Sequence, residues 1–150
     1  MTLLVLASDV RAFELIPALA RQFPGPRPVV VAENLQALRA FNADTPRIAG
    51  EAARLPFTKG SFAAVASIGA LQAARWPWTV LAELQRVLIP NGKLRLFEPV
   101  KRGFFCTRNF SAEEAQYRLA RAGFEIQGVE EKLRLAKLPG RFYCLTAVKR

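Results

Sequence analysis

Leu81-Ala82-Glu83-Leu84-Gln85-Arg86-Val87-Leu88-Ile89-Pro90-Asn91-Gly92-Lys93-Leu94-Arg95-Leu96-Phe97-Glu98 decides the fold, because it contains a helix, a stop and a strand in succession. Val80, Leu81, Leu84, Val87 and Leu88 recur at three- and four-residue intervals, which gathers them on one face of an α-helix. Pro77 suits the first turn of that helix, where its missing N–H costs nothing. Pro90-Asn91-Gly92 is the expected stop, and residues 93–98 then supply a strand.

Moving upstream, Phe62–Ile68 reads as the strand before this helix, and residues 46–49 as a shorter strand before that. Asn34 is placed to cap a helix whose Leu35, Leu38 and Phe41 share a face. The runs 2–6 and 28–32 are continuously apolar, the pattern of strands covered on both faces. Between them Phe13, Leu15, Ile16, Leu19, Ala20 and Phe23 fall at helical spacing, and Pro17 requires that helix to start late or kink. Downstream, Ser111-Ala112-Glu113-Glu114 has the form of a capping box, and the helix it opens is expected to end at Gly123. Residues 124–129 and 142–148 read as two last strands, joined by a basic stretch over 132–141. Strands alternating with helices predict one doubly wound α/β domain over residues 1–150, with helices on both faces of a mostly parallel sheet.

The composition narrows the chemistry. The 150 residues are 51% hydrophobic, enough for one core, and contain no histidine. That excludes the usual general base, the histidine-dependent nucleophile arrangements and the commonest zinc ligand. Cys106 and Cys144 are the two cysteines, without a second pair at metal-ligand spacing, so no metal site is expected and both are read as free thiols of a reducing, intracellular and cytoplasmic compartment. No apolar run is long enough to cross a bilayer, and the start of the chain lacks the features of a signal peptide. The formal net charge is +10, with more than half of the excess from Lys101 onward. A surface of that sign favours phosphate-rich or acidic partners: RNA, a ribonucleoprotein or an acidic protein.

The block Gly50-Glu51-Ala52-Ala53-Arg54-Leu55-Pro56-Phe57, then Gly60-Ser61-Phe62, then Glu83-Leu84-Gln85-Arg86-Val87-Leu88-Ile89-Pro90-Asn91-Gly92 resembles the small-molecule class I S-adenosylmethionine-dependent methyltransferases of the type 11 kind. Arg121-Ala122-Gly123-Phe124-Glu125 is similar to that family's turn into its sixth strand. The same features, followed by Phe97-Glu98-Pro99-Val100, also resemble the methyltransferase-like N-terminal domain of the anamorsin family, a domain without evident methyl transfer. The resemblance implies a seven-stranded sheet whose last strand inserts antiparallel beside the fifth, and S-adenosylmethionine as cofactor.

It also implies a set of cofactor contacts: Ala7, Ser8 and Asp9 after the first strand, Glu33 and Asn34 after the second, Glu51 and Ala52 after the third, and Ser67 near the end of the fourth. Glu33 would accept hydrogen bonds from both ribose hydroxyls, and Glu51-Ala52 would flank the adenine. The departure is in the first loop. The family has an acidic-x-Gly-x-Gly-x-Gly run there, whereas Ala7-Ser8-Asp9-Val10-Arg11-Ala12-Phe13 holds no glycine. Side chains there oppose positive φ and close ligand approach, at ~1–2 kcal/mol per residue for positive φ. The expectation is weakened cofactor binding, in a degenerate domain that acts as a binding or scaffold module. Two alternatives stay open: an active small methyltransferase with an unknown acceptor, and another doubly wound domain altogether. Trp76, Trp78, Phe104 and Phe105 lie in loops at the strand ends, where aromatic rings would stack on RNA or pack as a lid.

Overall fold

A computed structural model describes residues 2–8, 15–23, 28–33, 38–39, 45–100, 111–135 and 140–150. Seven strands form one sheet: β1 (Thr2–Ala7), β2 (Val29–Ala32), β3 (Arg47–Ala49), β4 (Phe62–Ile68), β5 (Leu88–Pro99), β6 (Phe124–Leu133) and β7 (Phe142–Lys149). Their spatial order is β3-β2-β1-β4-β5-β7-β6. The pairs from β3 to β5 are parallel. β7 inserts antiparallel between β5 and β6, with Leu96 opposite Leu145, as the resemblance implies.

Among the described residues the helices of a full turn or more are α1 (Ile16–Gln22), α2 (Ala70–Ala73), α3 (Pro77–Val87) and α4 (Ala112–Arg121). β1 explains how the two faces fill: Leu4 and Leu6 point into the core beneath α3 and α4, while Leu3, Val5 and Ala7 point into the core beneath α1. The unbroken apolar run of β1 is therefore needed on both sides. Val80, Leu84 and Val87 of α3 and Ala115 and Leu119 of α4 close the first core, and Ile16 and Leu19 of α1 the second. Pro17 sits in the first turn of α1, which starts late rather than kinking. Asn34, Leu35 and Phe41 lie outside the described residues, and Leu38 is buried against the α1 side.

Two local expectations need correction. β5 starts at Leu88 rather than at residue 93, because α3 already ends at Val87 and Pro90-Asn91-Gly92 lies inside the strand. Leu88 pairs with Phe62 and Lys93 with Ala64, so the residues between them bulge out of the ladder, with Asn91 at φ 62°. Gly92 is obligatory there, since a Cβ would meet the Ile89 carbonyl oxygen at 2.8 Å. The capping box is half formed: the Ser111 hydroxyl accepts from the Glu114 amide at 3.1 Å, but the Glu114 carboxylate accepts from Arg118 at 3.0 Å. Its other half is replaced by an i,i+4 ion pair.

Among the described residues no helix is long and apolar enough to cross a membrane, and no cluster of potential metal ligands occurs.

Candidate functional site

The block that carries the resemblance has a structural task. The Glu83 carboxylate accepts from the Leu55 amide at 2.7 Å and from Arg86 Nε and Nη2 at 2.7 and 2.8 Å. Arg86 in turn donates to the carbonyls of Phe57 at 2.6 Å and Leu55 at 3.1 Å. Glu83 and Arg86 of α3 thus lock the Leu55-Pro56-Phe57 turn that carries the chain from β3 to β4. The Arg86 hydrogen bonds, helped by the Leu55 amide, hold the Glu83 carboxyl below its usual range against the opposing effect of burial.

At the carboxyl ends of β1, β2 and β4 lies a crevice of about 200 Å³, where ligands bind in open α/β sheets. Ala7 and Ser8 form one wall, Ala32 and Glu33 another, Gly50 and Ala52 a third, and Ala70, Ala73 and Ala74 of α2 and its end the fourth. Glu33 is exposed and is the one charged side chain in the described lining. Ala7 gives the wall a methyl group where the resembled loop begins with an acidic residue. Ser8 is turned inward to the neighbouring strand: its hydroxyl donates to the Ile68 carbonyl at 2.9 Å and its amide to the same oxygen at 3.2 Å. That hydroxyl lies 2.4 Å from where a Cβ on Gly69 would stand, and Gly69 has φ +71°, so the turn into α2 admits no side chain.

The crevice therefore gathers Ala7, Ser8, Glu33 and Ala52 from the residues expected by resemblance. Asp9 and Asn34 lie outside the described residues. Glu51 is exposed beside the crevice, its backbone bridged to Arg54. Ser67 is fully buried within the sheet, its hydroxyl without a hydrogen-bond partner, and does not line the crevice. Gln72 is buried and donates from Nε2 to the Pro99 carbonyl at 2.7 Å, a structural tie under α2.

Beneath α2, Glu98 is completely buried and accepts from the amides of Leu71 at 2.9 Å and Gln72 at 3.3 Å. Burial pushes its pKa up to about 8, against the pull of the two amides. Burial and the Glu98 charge together raise the pKa of Tyr143, which stands opposite it on β7. Sequence reasoning missed this carboxylate and the alanine wall. An acidic residue ending an apolar strand was the available signal for Glu98, whereas Ala70, Ala73 and Ala74 carry no chemical signal.

A family model described as a methyltransferase domain matches residues 26–96. None of the curated proteins matches the sequence. Solved structures align over nearly its whole length. A S-adenosylmethionine-dependent methyltransferase from Thermotoga maritima superposes with a TM-score of 0.77 at 18% identity, covering 99% of this chain and 82% of that one. One from Aquifex aeolicus gives 0.73 at 15% identity, covering 99% and 81%. The [4+2]-cyclase SpnF gives 0.74 at 20% identity, covering 99% and 74%. The chain has the fold of class I S-adenosylmethionine-dependent methyltransferases. SpnF is named for a cyclisation, so similarity at this level leaves the reaction open.

Proposed function

We infer that this domain is a methyltransferase-fold binding module that retains the nucleoside end of the cofactor site and has lost the methionine end. The observation that carries the reading is the lining of the crevice. Glu33 stands at the end of β2 as its one described charge, among residues small enough to admit a flat nucleoside: Ala32, Gly50, Ala52 and Ala73. A carboxylate there suits two vicinal ribose hydroxyls, which it can accept together.

The opposite wall is what argues against catalysis. Ala7 supplies no acceptor, the Ser8 hydroxyl donates to the sheet, and the sequence that follows them holds no glycine to ease close ligand approach. The described lining also holds no titratable group besides Glu33.

Titration calorimetry with S-adenosylhomocysteine tests the reading. Saturable binding is expected, weakened by roughly 1.5–3 kcal/mol in Glu33→Ala, the range for hydrogen bonds to a charged group. Equal affinity in wild type and Glu33→Ala would remove Glu33 from the site. A second reading, an active methyltransferase, is favoured by the crevice sitting at the fold's cofactor position. It requires turnover of S-adenosylmethionine to S-adenosylhomocysteine, which the binding-module reading excludes.

A further inference from the structure

A groove of about 650 Å³ runs between α3 and α4, on the outer side of the helical layer. Trp78, Leu81 and Gln85 face it from α3 and Tyr117, Arg118 and Arg121 from α4. Both sets follow helical spacing, so the two helices turn a second, polar-aromatic stripe toward each other while Val80, Leu84 and Leu119 face the core. The groove shares no lining residue with the crevice.

Its exposed rings are unusual for a solvated surface. Among the described residues the exposed large aromatics are Trp76, Trp78 and Tyr117, at 47%, 49% and 62% exposure; Trp78 and Tyr117 line this groove and Trp76 packs beside Trp78. Trp76 and Trp78 have ring centroids 5.1 Å apart at an angle of 48°. The Arg75 guanidinium lies 5.5 Å over the Trp76 ring and that of Arg121 lies 5.6 Å over Tyr117, to whose hydroxyl it also donates at 3.1 Å. Two lining arginines, Arg118 and Arg121, with Arg75 beside them over Trp76, thus meet one lining carboxylate, Glu114, which is paired with Arg118 at 3.0 Å.

We propose that the α3–α4 groove binds single-stranded nucleic acid, with bases stacking on Trp76, Trp78 and Tyr117 and phosphates meeting Arg75, Arg118 and Arg121. An acidic polypeptide would satisfy the arginines but has no planar faces for the rings, whereas a single strand offers both at regular spacing. The net charge of +10 supplies the long-range attraction. The site is independent of the cofactor reading, so either stands if the other fails.

Of the chain's two tryptophans Trp78 lines the groove and Trp76 packs against it, so the intrinsic tryptophan fluorescence reports on this site. Titration with a uridine oligonucleotide at about 50 mM salt is expected to give saturable quenching. Three phosphate contacts predict affinity falling about 20-fold between about 50 and 200 mM salt, at a slope near −0.7 per phosphate. Anisotropy of a labelled oligonucleotide should show a tenfold or greater loss in Trp78→Ala and in Arg121→Glu, with folding confirmed by circular dichroism. Tyr117→Ala serves as an independent aromatic variant, since that ring is mostly in solvent. Lys93→Glu makes the same charge reversal on the opposite face of the sheet and should lose much less. Absence of quenching at low salt would overturn the proposal, as would unchanged affinity in the groove variants. Equal quenching by polyglutamate would overturn it in favour of an acidic polypeptide site.

Discussion

Glu98 is the residue whose environment contradicts its chemistry most. Its carboxyl is fully buried, and its folded pKa of about 8 lies above the unfolded value near 4.5. The folded chain therefore keeps a proton that the unfolded chain has released, and stability is fullest below pH 4.5 and lost as pH rises toward 8. Each unit of such a shift corresponds to about 1.4 kcal/mol, so the loss across the window is on the order of a few kcal/mol. Glu98→Gln cannot titrate and should flatten that limb. Urea unfolding between pH 5 and 8 reads the change as a slope, which a loss of packing alone would not alter. A slope equal to that of the wild type would show the carboxyl to be ionised throughout. Ser67 gives the complementary lesson at this scale. Its position near the end of β4 is legible in sequence, but whether its side chain faces ligand or core depends on the β4 register against β1 and β5, which one sequence does not specify.

At the scale of elements, α3 and the turn it grips explain why the middle of the chain is so legible. Glu83, Arg86 and Leu55-Pro56-Phe57 are bound to one another, so the motif recognised in sequence is a fold determinant rather than a catalytic one. Glu83→Ala strands the Leu55 amide and part of Arg86, and should cost about 2 kcal/mol at pH 7. The lowered pKa of Glu83 sets the sign of its pH dependence. Its contribution is present above the unfolded value of 4.5 and is lost as pH falls through the lower folded value. The difference between wild type and Glu83→Ala in urea unfolding should shrink accordingly in acid, and a constant difference would contradict the ion pair. The strand that follows was misread at its start for an identifiable reason. Pro90-Asn91-Gly92 has the chemistry of a terminator, and only the ladder with β4 shows that it forms a bulge inside β5. Gly92→Ala should destabilise by about 1–3 kcal/mol in thermal unfolding, because its Cβ would press on the Ile89 oxygen and Leu88. At the far end of α3 its last carbonyls are capped from another element, the Lys149 ammonium at the end of β7 donating to Gln85 and Leu88 at 2.6 and 2.7 Å.

The whole molecule joins a sheet whose plan is that of the methyltransferase fold to a crevice at the ends of its strands. Apolar periodicity and turn chemistry are local, and they recovered the strand sequence, while the antiparallel insertion of β7 came from the resemblance. The crevice was legible at Ala7, Ser8, Glu33 and Ala52 through the resemblance, whereas Ala70, Ala73 and Ala74 are brought to it by topology and carry no chemical signal. Of the basic residues from Lys101 onward, Lys101, Arg102, Arg108 and Lys137 lie outside the described residues, and Arg134 and Arg141 are exposed. The central claim is that the nucleoside end of the cofactor site survives without its methionine end. Competitive calorimetry comparing adenosine with S-adenosylhomocysteine tests it directly, since the two ligands differ by the amino-acid portion alone. The account predicts affinities within about threefold, less than 1 kcal/mol apart. S-adenosylhomocysteine binding a hundredfold tighter than adenosine, a difference of about 2.8 kcal/mol, would contradict it.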